Sequence, residues 1–218
     1  MKIKALYLTT GNLAATIDFY TTVLQIPVRH KQENQVTFYL GTTLVQFTLV
    51  PNSNPVYHIA LDIPHNQLEE AYAWLQPRTA ILPVSPESDF SEFTLWNAKS
   101  FYFYDNNGNL LECIARFDSA TASTQPFDST AIVAISEIGI VTHDVPKLAE
   151  QLIERYPLEV YTKQPAAENF TALGDETGLL ILVKDNRNWF PTDTVAVSFP
   201  LIVVFDHASS PEHRLEIE

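Results

Sequence analysis

Hydrophobic and polar positions along the chain follow one pattern three times. Ile3 to Thr10 alternates as a strand. Asn12, a good N-cap, precedes Leu13, Ala14, Ala15, Ile17, Phe19, Tyr20, Val23 and Leu24 at near-helical spacing, and Pro27 stops that helix. Gln35 to Leu40 and Thr42 to Val50 are strand-like and flank Gly41, where the chain reverses tightly. After the turn cluster Pro51 to Pro55 the pattern restarts, with Val56 to Ile63 as a strand and Asn66 to Leu75 as a helix. A Pro-, Ser- and aromatic-rich excursion, Leu82 to Asn97, leads to an aromatic strand at Phe101 to Tyr104, the turn Asp105 to Asn109, and a strand at Leu110 to Ala115.

A third round follows Phe117 to Thr130, whose six Ser/Thr read as a linker. Ile132 to Val141 predicts a strand and Lys147 to Arg155 a helix behind Asp144, with Pro146 suited to its first turn. Phe170 to Leu173 and Leu179 to Val183 predict strands, and Val195 to Phe205 reads as a lone strand bent at Pro200. The expected class is α+β, built from repeated βαβββ units. The expected organisation is a two-unit domain over 1–116 (units 1–50 and 55–116), a linker over 117–130, and a third unit with an extra terminal strand over 131–218.

Composition narrows the partners. The chain has 218 residues, 46% of them hydrophobic, and a net charge of −13, so polyphosphate and anionic lipid are repelled. Nucleic acid and membrane surfaces are therefore not expected partners, whereas a small molecule is. The lone cysteine, Cys113, precludes an intrachain disulfide and reads as a buried thiol in a reducing compartment. No apolar run approaches the roughly 20 residues that span a bilayer, and the first residues do not read as a secretory signal. The cytoplasm is the expected location.

Strand alternation selects candidate chemistry. It puts His58, Ala60 and Asp62 on one face of their strand, and it separates Gln46 from Val45 and Phe47, and Glu112 from Leu111 and Cys113. In Phe101, Tyr102, Phe103 and Tyr104 either face carries two rings, Tyr7 shares the parity of Ala5, and Phe90, Phe93 and Trp96 lie in the long excursion as a candidate lid. Such rings suit a flat or apolar small molecule.

Three segments carry a resemblance: Asn12 to Tyr20 after the first strand, the strand His58 to Asp62, and Asp105-Asn106-Asn107-Gly108-Asn109-Leu110-Leu111-Glu112. Together they resemble the vicinal oxygen chelate superfamily, which includes glyoxalase I, bleomycin- and fosfomycin-resistance proteins and extradiol dioxygenases. The resemblance implies paired units whose sheets curl around one cavity, with metal ligands on the first and last strands of the pair. Matched position by position, it implies Ala5 and Gln46 in the first unit and His58 and Glu112 in the second. In the third unit Glu137 lies seven residues before Asp144, as Ala5 lies before Asn12, but Leu180, Ile181 and Leu182 cannot bind metal.

The metal candidates are thus His58, Glu112 and Gln46, suited to divalent Fe, Mn, Ni, Co or Zn. Glu112 is the candidate catalytic base, because an amide at Gln46 cannot take a proton. Tyr7, Trp96, Phe101, Tyr102, Phe103 and Tyr104 are the candidate substrate contacts. The implied activity is that of a metal-dependent lyase, isomerase or dioxygenase acting on a small molecule with adjacent oxygens. The alternatives are a metal-free binding or drug-sequestering protein, and a structural module with a decayed site. An odd third unit leaves a sheet face unmatched, and burying it gains about 25 cal/mol per Å². Either the terminal strand or a second copy, as a homodimer, is expected to cover it.

Overall fold

The computed structural model describes residues 1–207 and 210–218. The first unit comprises β1 (Lys2–Thr10), α1 (Leu13–Asp18), which continues as a π turn over Phe19–Val23, then β2 (His30–Lys31), β3 (Gln35–Leu40) and β4 (Thr43–Leu49). The second holds β5 (His58–Ile63), α2 (Leu68–Leu75), β6 (Ile81–Leu82), β7 (Ser91–Phe93), β8 (Ala98–Tyr104) and β9 (Leu110–Arg116). The third holds β10 (Ala134–Thr142), α3 (Val145–Arg155), β11 (Phe170–Asp175) and β12 (Gly178–Lys184), and β13 (Leu201–His207) and β14 (Ser210–Ile217) close the chain.

Local chemistry explains the starts and reversals. The side-chain oxygen of Asn12 accepts the Ala15 N–H at 3.0 Å, and that of Asp144 accepts the Lys147 N–H at 3.0 Å, so each satisfies a donor the helix leaves free. Gly41 turns between β3 and β4 at φ +58°, where a Cβ would collide with the Val133 carbonyl.

The units are not paired as expected. One sheet runs β14-β13-β1-β4-β3-β2, and the other, of eight strands, runs β11-β12-β10-β5-β9-β8-β6 with β7 also paired to β8. The antiparallel β5–β10 pairing therefore joins the second unit to the third, and not the second to the first. The first unit takes the terminal β13–β14 pair instead, with β13 antiparallel to β1. The physical reason is edge matching: β13 supplies β1 with the same kind of partner that β5 supplies to β10. The terminal strand is thus one arm of an antiparallel pair with β14, and it starts at Leu201 instead of Val195.

Within each unit the first and last strands are parallel neighbours in one register: Ala5 pairs with Leu44, His58 with Leu110, and Glu137 with Leu179. The main core lies on the helix-bearing faces and includes Leu6, Leu8, Ile59, Leu61, Phe101, Phe103, Leu111, Ile138 and Ile140. A second, smaller core fills the opposite face of the eight-stranded sheet with Ala60, Trp96, Tyr102, Leu110, Ile114, Ile181, Val183 and Trp189. Alternation sorts β5, β8, β9 and β10 between the two cores, and the polar groups on this second face form the candidate site.

Candidate functional site

The Asp105 to Asn109 turn sets the register of the two central strands. Asp105 Oδ1 accepts the N–H groups of Asn107 (2.8 Å) and Asn109 (3.0 Å), and its Oδ2 accepts the Asn109 amide at 2.7 Å. Asn109 in turn accepts the Tyr57 N–H at 2.8 Å, which ties the start of β9 to the start of β5. His58, the first residue of β5, and Glu112, two residues beyond the start of β9, then face the same hollow. Their Nε2 and Oε2 atoms are 3.5 Å apart, and both side chains are buried.

Glu137, from β10, completes the cluster: one ligand atom each from His58, Glu112 and Glu137 lies within 4.8 Å of the others. A register break between Ile135 and Glu137 re-aims this strand. As a result the adjacent residues Ser136 and Glu137 both meet the Arg116 guanidinium, which regular alternation would prevent. Arg116 donates to Ser136 Oγ at 3.0 Å, to Asp62 Oδ1 at 2.9 Å, and to Glu137 Oε1.

The electrostatics follow from burial. His58 places Nδ1 3.2 Å from the Leu110 carbonyl, so its neutral form carries the proton there and leaves the Nε2 lone pair facing the acids. Burial pulls its pKa down to about 4. Burial, then the Glu137 charge, pushes Glu112 up to about 8. Burial also raises Glu137, but the Arg116 guanidinium opposes the rise. Of the two acids, Glu112 holds a proton more readily. Tyr102 donates its hydroxyl to Glu112 Oε1 at 3.2 Å, and its own pKa is raised by burial and by that charge, so it stays a phenol.

This arrangement fits a divalent ion. It offers one imidazole nitrogen with its tautomer set and two carboxylates, a donor set for the divalent first-row metals. Asp62, Glu112 and Glu137 also bring three potential negative charges against the single positive charge of Arg116, and two further positive charges would balance them.

A cavity of about 130 Å³ lies over the cluster, walled by Phe93, Trp96, Tyr102, Phe170, Trp189 and Phe190. Trp189 and Phe190 come from the loop after β12, and the Trp189 ring lies 5.1 Å from the His58 ring. Gly139 on β10 makes room for both, since a Cβ there would stand 2.5 Å from Trp189 Cη2 and 3.2 Å from His58 Cβ.

Of the residues the sequence singled out, His58, Glu112, Tyr102 and Trp96 line this hollow. Tyr104 faces the same side, and its hydroxyl meets Thr194 of the covering loop at 2.7 Å. Others lie elsewhere. Gln46 is in the six-stranded sheet with its amide 3.4 Å from Thr48 Oγ1, and Tyr7 pairs beside it in that sheet. Phe101 and Phe103 point into the helix-side core, where Phe101 meets Tyr72 and Phe90. Phe90 belongs to that core too, whereas Phe93 does line the cavity. Sequence reasoning placed no site in the third unit and so passed over Glu137, although the seven-residue offset had marked it.

Fold and cluster together define a class of protein in which βαβββ units pair into a sheet that curls around a hollow floored by ligand-type side chains. Residues 2–113 match the Glyoxalase/Bleomycin resistance protein/Dioxygenase superfamily, and the chain belongs to that superfamily. No curated protein matches the sequence. Among solved structures the chain is similar to a candidate dioxygenase from Bacillus subtilis, with TM-score 0.62 and 17% identity, covering 84% of this chain and 63% of that one. It is also similar to glyoxalase I from Zea mays, with TM-score 0.55 and 17% identity, covering 88% and 69%. The chain thus spans less than two thirds of the first relative's length. At these identities the likeness is one of fold.

Proposed function

We propose that the protein is a divalent-metal-dependent enzyme that acts on a small organic molecule with adjacent oxygens, as a lyase, isomerase or dioxygenase of its superfamily. The observation that carries this reading is the convergence of His58, Glu112 and Glu137 beneath an aromatic-walled cavity. His58 Nε2 and the two carboxylates would hold the ion. When bound there, a divalent metal supplies Lewis-acid polarisation of a carbonyl or enolate oxygen.

The chain's own groups supply the rest. Arg116 fixes the Glu137 carboxylate and lowers its appetite for a proton, so Glu112 is the acid that takes or gives one. The Tyr102 hydroxyl holds Glu112 Oε1 and orients the carboxylate toward the hollow. The aromatic walls exclude water and position a flat substrate.

Two observations favour a second reading, a metal-free small-molecule binder: Arg116 already neutralises part of the acidic charge, and Ile181 stands in β12 where Glu112 stands in β9. Elemental analysis of the purified chain separates the two. Near-stoichiometric transition metal that is lost in His58→Ala supports the enzyme. Background metal in the wild type, not restored by added Mn(II), Fe(II), Co(II), Ni(II) or Zn(II), overturns it in favour of the binder.

A further inference from the structure

We propose that the hollow takes a planar molecule about one six-membered ring in size that carries a carboxylate, with the ring between the aromatic walls and the carboxylate on Arg187. This inference rests on the hollow being the ligand site.

Size sets the first limit. At about 130 Å³ the cavity is slightly smaller than an apolar cavity of roughly 150 Å³ that accepts benzene. The walls are faces and edges of rings, which favour a flat partner.

Beyond the His58, Glu112 and Glu137 cluster that would hold the ion, two polar groups of the cavity have donors to spare, Arg187 and Trp189. Arg187 lines the cavity from the loop after β12, with its guanidinium 5.6 Å from the Phe170 ring centre. One nitrogen, Nη1, donates to the Asn169 carbonyl at 3.4 Å, and among the described residues no carboxylate pairs with it, unlike Arg116 and Arg214. A guanidinium has five N–H donors in a fork that matches a carboxylate. The second donor is the indole N–H of Trp189, a cavity-lining residue only 5% exposed, which is buried with no acceptor. A buried donor without a partner is unfavourable until a bound acceptor takes it. The neighbouring Gln164 is already committed, since its Oε1 accepts the Trp96 indole at 3.2 Å.

Aromatic walls in an acidic protein also suit a cationic ligand. Arg187 in the wall argues against that, because a like charge at contact is repelled. The net charge of −13 opposes an incoming anion at longer range, but salt screens that field within about 8 Å at physiological strength. Of the two acids that also line the cavity, Glu137 is paired with Arg116, so the proposed pose seats the ring over Glu112 and Glu137 and gives the carboxylate end to Arg187.

Benzoate and its neutral isostere benzamide test the proposal by calorimetry on the full chain, both treated with EDTA and loaded with Mn(II). Benzoate is expected to bind about tenfold more tightly than benzamide in both forms, as a charge-assisted bidentate contact provides. Arg187→Gln is expected to bring benzoate down to benzamide and leave benzamide unchanged. Should that variant not fold, Arg187→Lys, which lacks the planar fork, is expected to lose most of the preference. Equal affinities in the wild type, a preference that survives substitution, or a preference seen only with Mn(II), overturns the proposal. Metal content measured on the same samples is independent of this result. Absent metal with an Arg187-dependent preference removes only the metal reading, and bound metal with no preference removes only the carboxylate.

Discussion

Glu137 and Ala5 occupy the same place in two copies of one strand pairing. Each follows a register break in the first strand of its unit, and each lies opposite a small or apolar residue of an antiparallel neighbour, Ala60 for Glu137 and Val204 for Ala5. Each also sits in a parallel pair with the unit's last strand. The six-stranded sheet therefore repeats the frame of the site without its chemistry: Ala5 stands in place of the acid, and Ile202, opposite Tyr7, in place of His58.

The equivalence predicts which substitutions matter to metal. Glu137→Ala, which gives the second frame the residue of the first, is expected to abolish bound metal. Gln46→Ala, in the frame that lacks the cluster, is expected to leave metal content at the wild-type level. Elemental analysis of the two variants checks this, and a metal loss in Gln46→Ala would contradict the placement of the site.

Arg116 gives the second prediction. Its side chain is 2% exposed and joins Asp62, Ser136 and Glu137 at the bottom of the hollow. Removing one partner of a buried ion pair leaves uncompensated charge, a change that costs about 3–5 kcal/mol. Arg116→Met is expected to lower unfolding stability by that amount in urea titrations at neutral pH. Part of the loss should be recovered in acid, where Asp62 and Glu137 take up protons.

The third prediction concerns pH in EDTA-treated protein. Glu112 faces His58, Tyr102 and Glu137, with Arg116 close by, and its pKa is raised to about 8 in the folded chain. A raised carboxyl pKa means the folded state binds more protons than the unfolded one, so its stabilising contribution is full below about 4.5 and lost as pH rises through 8. His58, lowered to about 4, works in the other direction: its contribution is present above 6.5 and lost as pH falls through 4. The melting temperature is expected to fall between pH 6.5 and 9, and Glu112→Gln should flatten that limb. An unchanged limb would show that Glu112 does not carry it.

Much of this site was legible in the chain. Strand alternation depends only on sequence spacing, so it put His58 and Glu112 on matching faces and kept Cys113 and Leu111 away from them. It could not say which side of β8 faced the hollow, and so Phe101 and Phe103 looked as good as Tyr102 and Tyr104. Glu137 carried its own signal in the seven-residue offset to Asp144. What hid it was a long-range fact, the pairing of β5 with β10 across the linker, together with a register break that no periodicity reveals. The terminal pair was obscure for a related reason: exposed Glu212, Arg214 and Glu216 around buried Leu215 read as a polar tail until β13 provides a partner.

Gly139 provides the last prediction. It lies two residues beyond Glu137 and pairs with Ile181, beneath the ring of Trp189. Its backbone is that of an ordinary strand, so an alanine there meets no conformational penalty and acts through space alone. The added methyl would stand 2.5 Å from Trp189 Cη2, well inside contact distance, and 3.2 Å from His58 Cβ. His58 is held by its strand and by the Leu110 carbonyl, whereas Trp189 sits on a loop, so the indole is the side that yields. Overpacking of this kind costs about 1–3 kcal/mol. Gly139→Ala is therefore expected to lose stability in that range, to shift tryptophan emission to the red as Trp189 moves toward solvent, and to weaken ligand binding while bound metal stays near the wild-type level. Loss of metal with unchanged emission would mean that His58 had moved instead, and that the covering loop is more rigid than the strand beneath it.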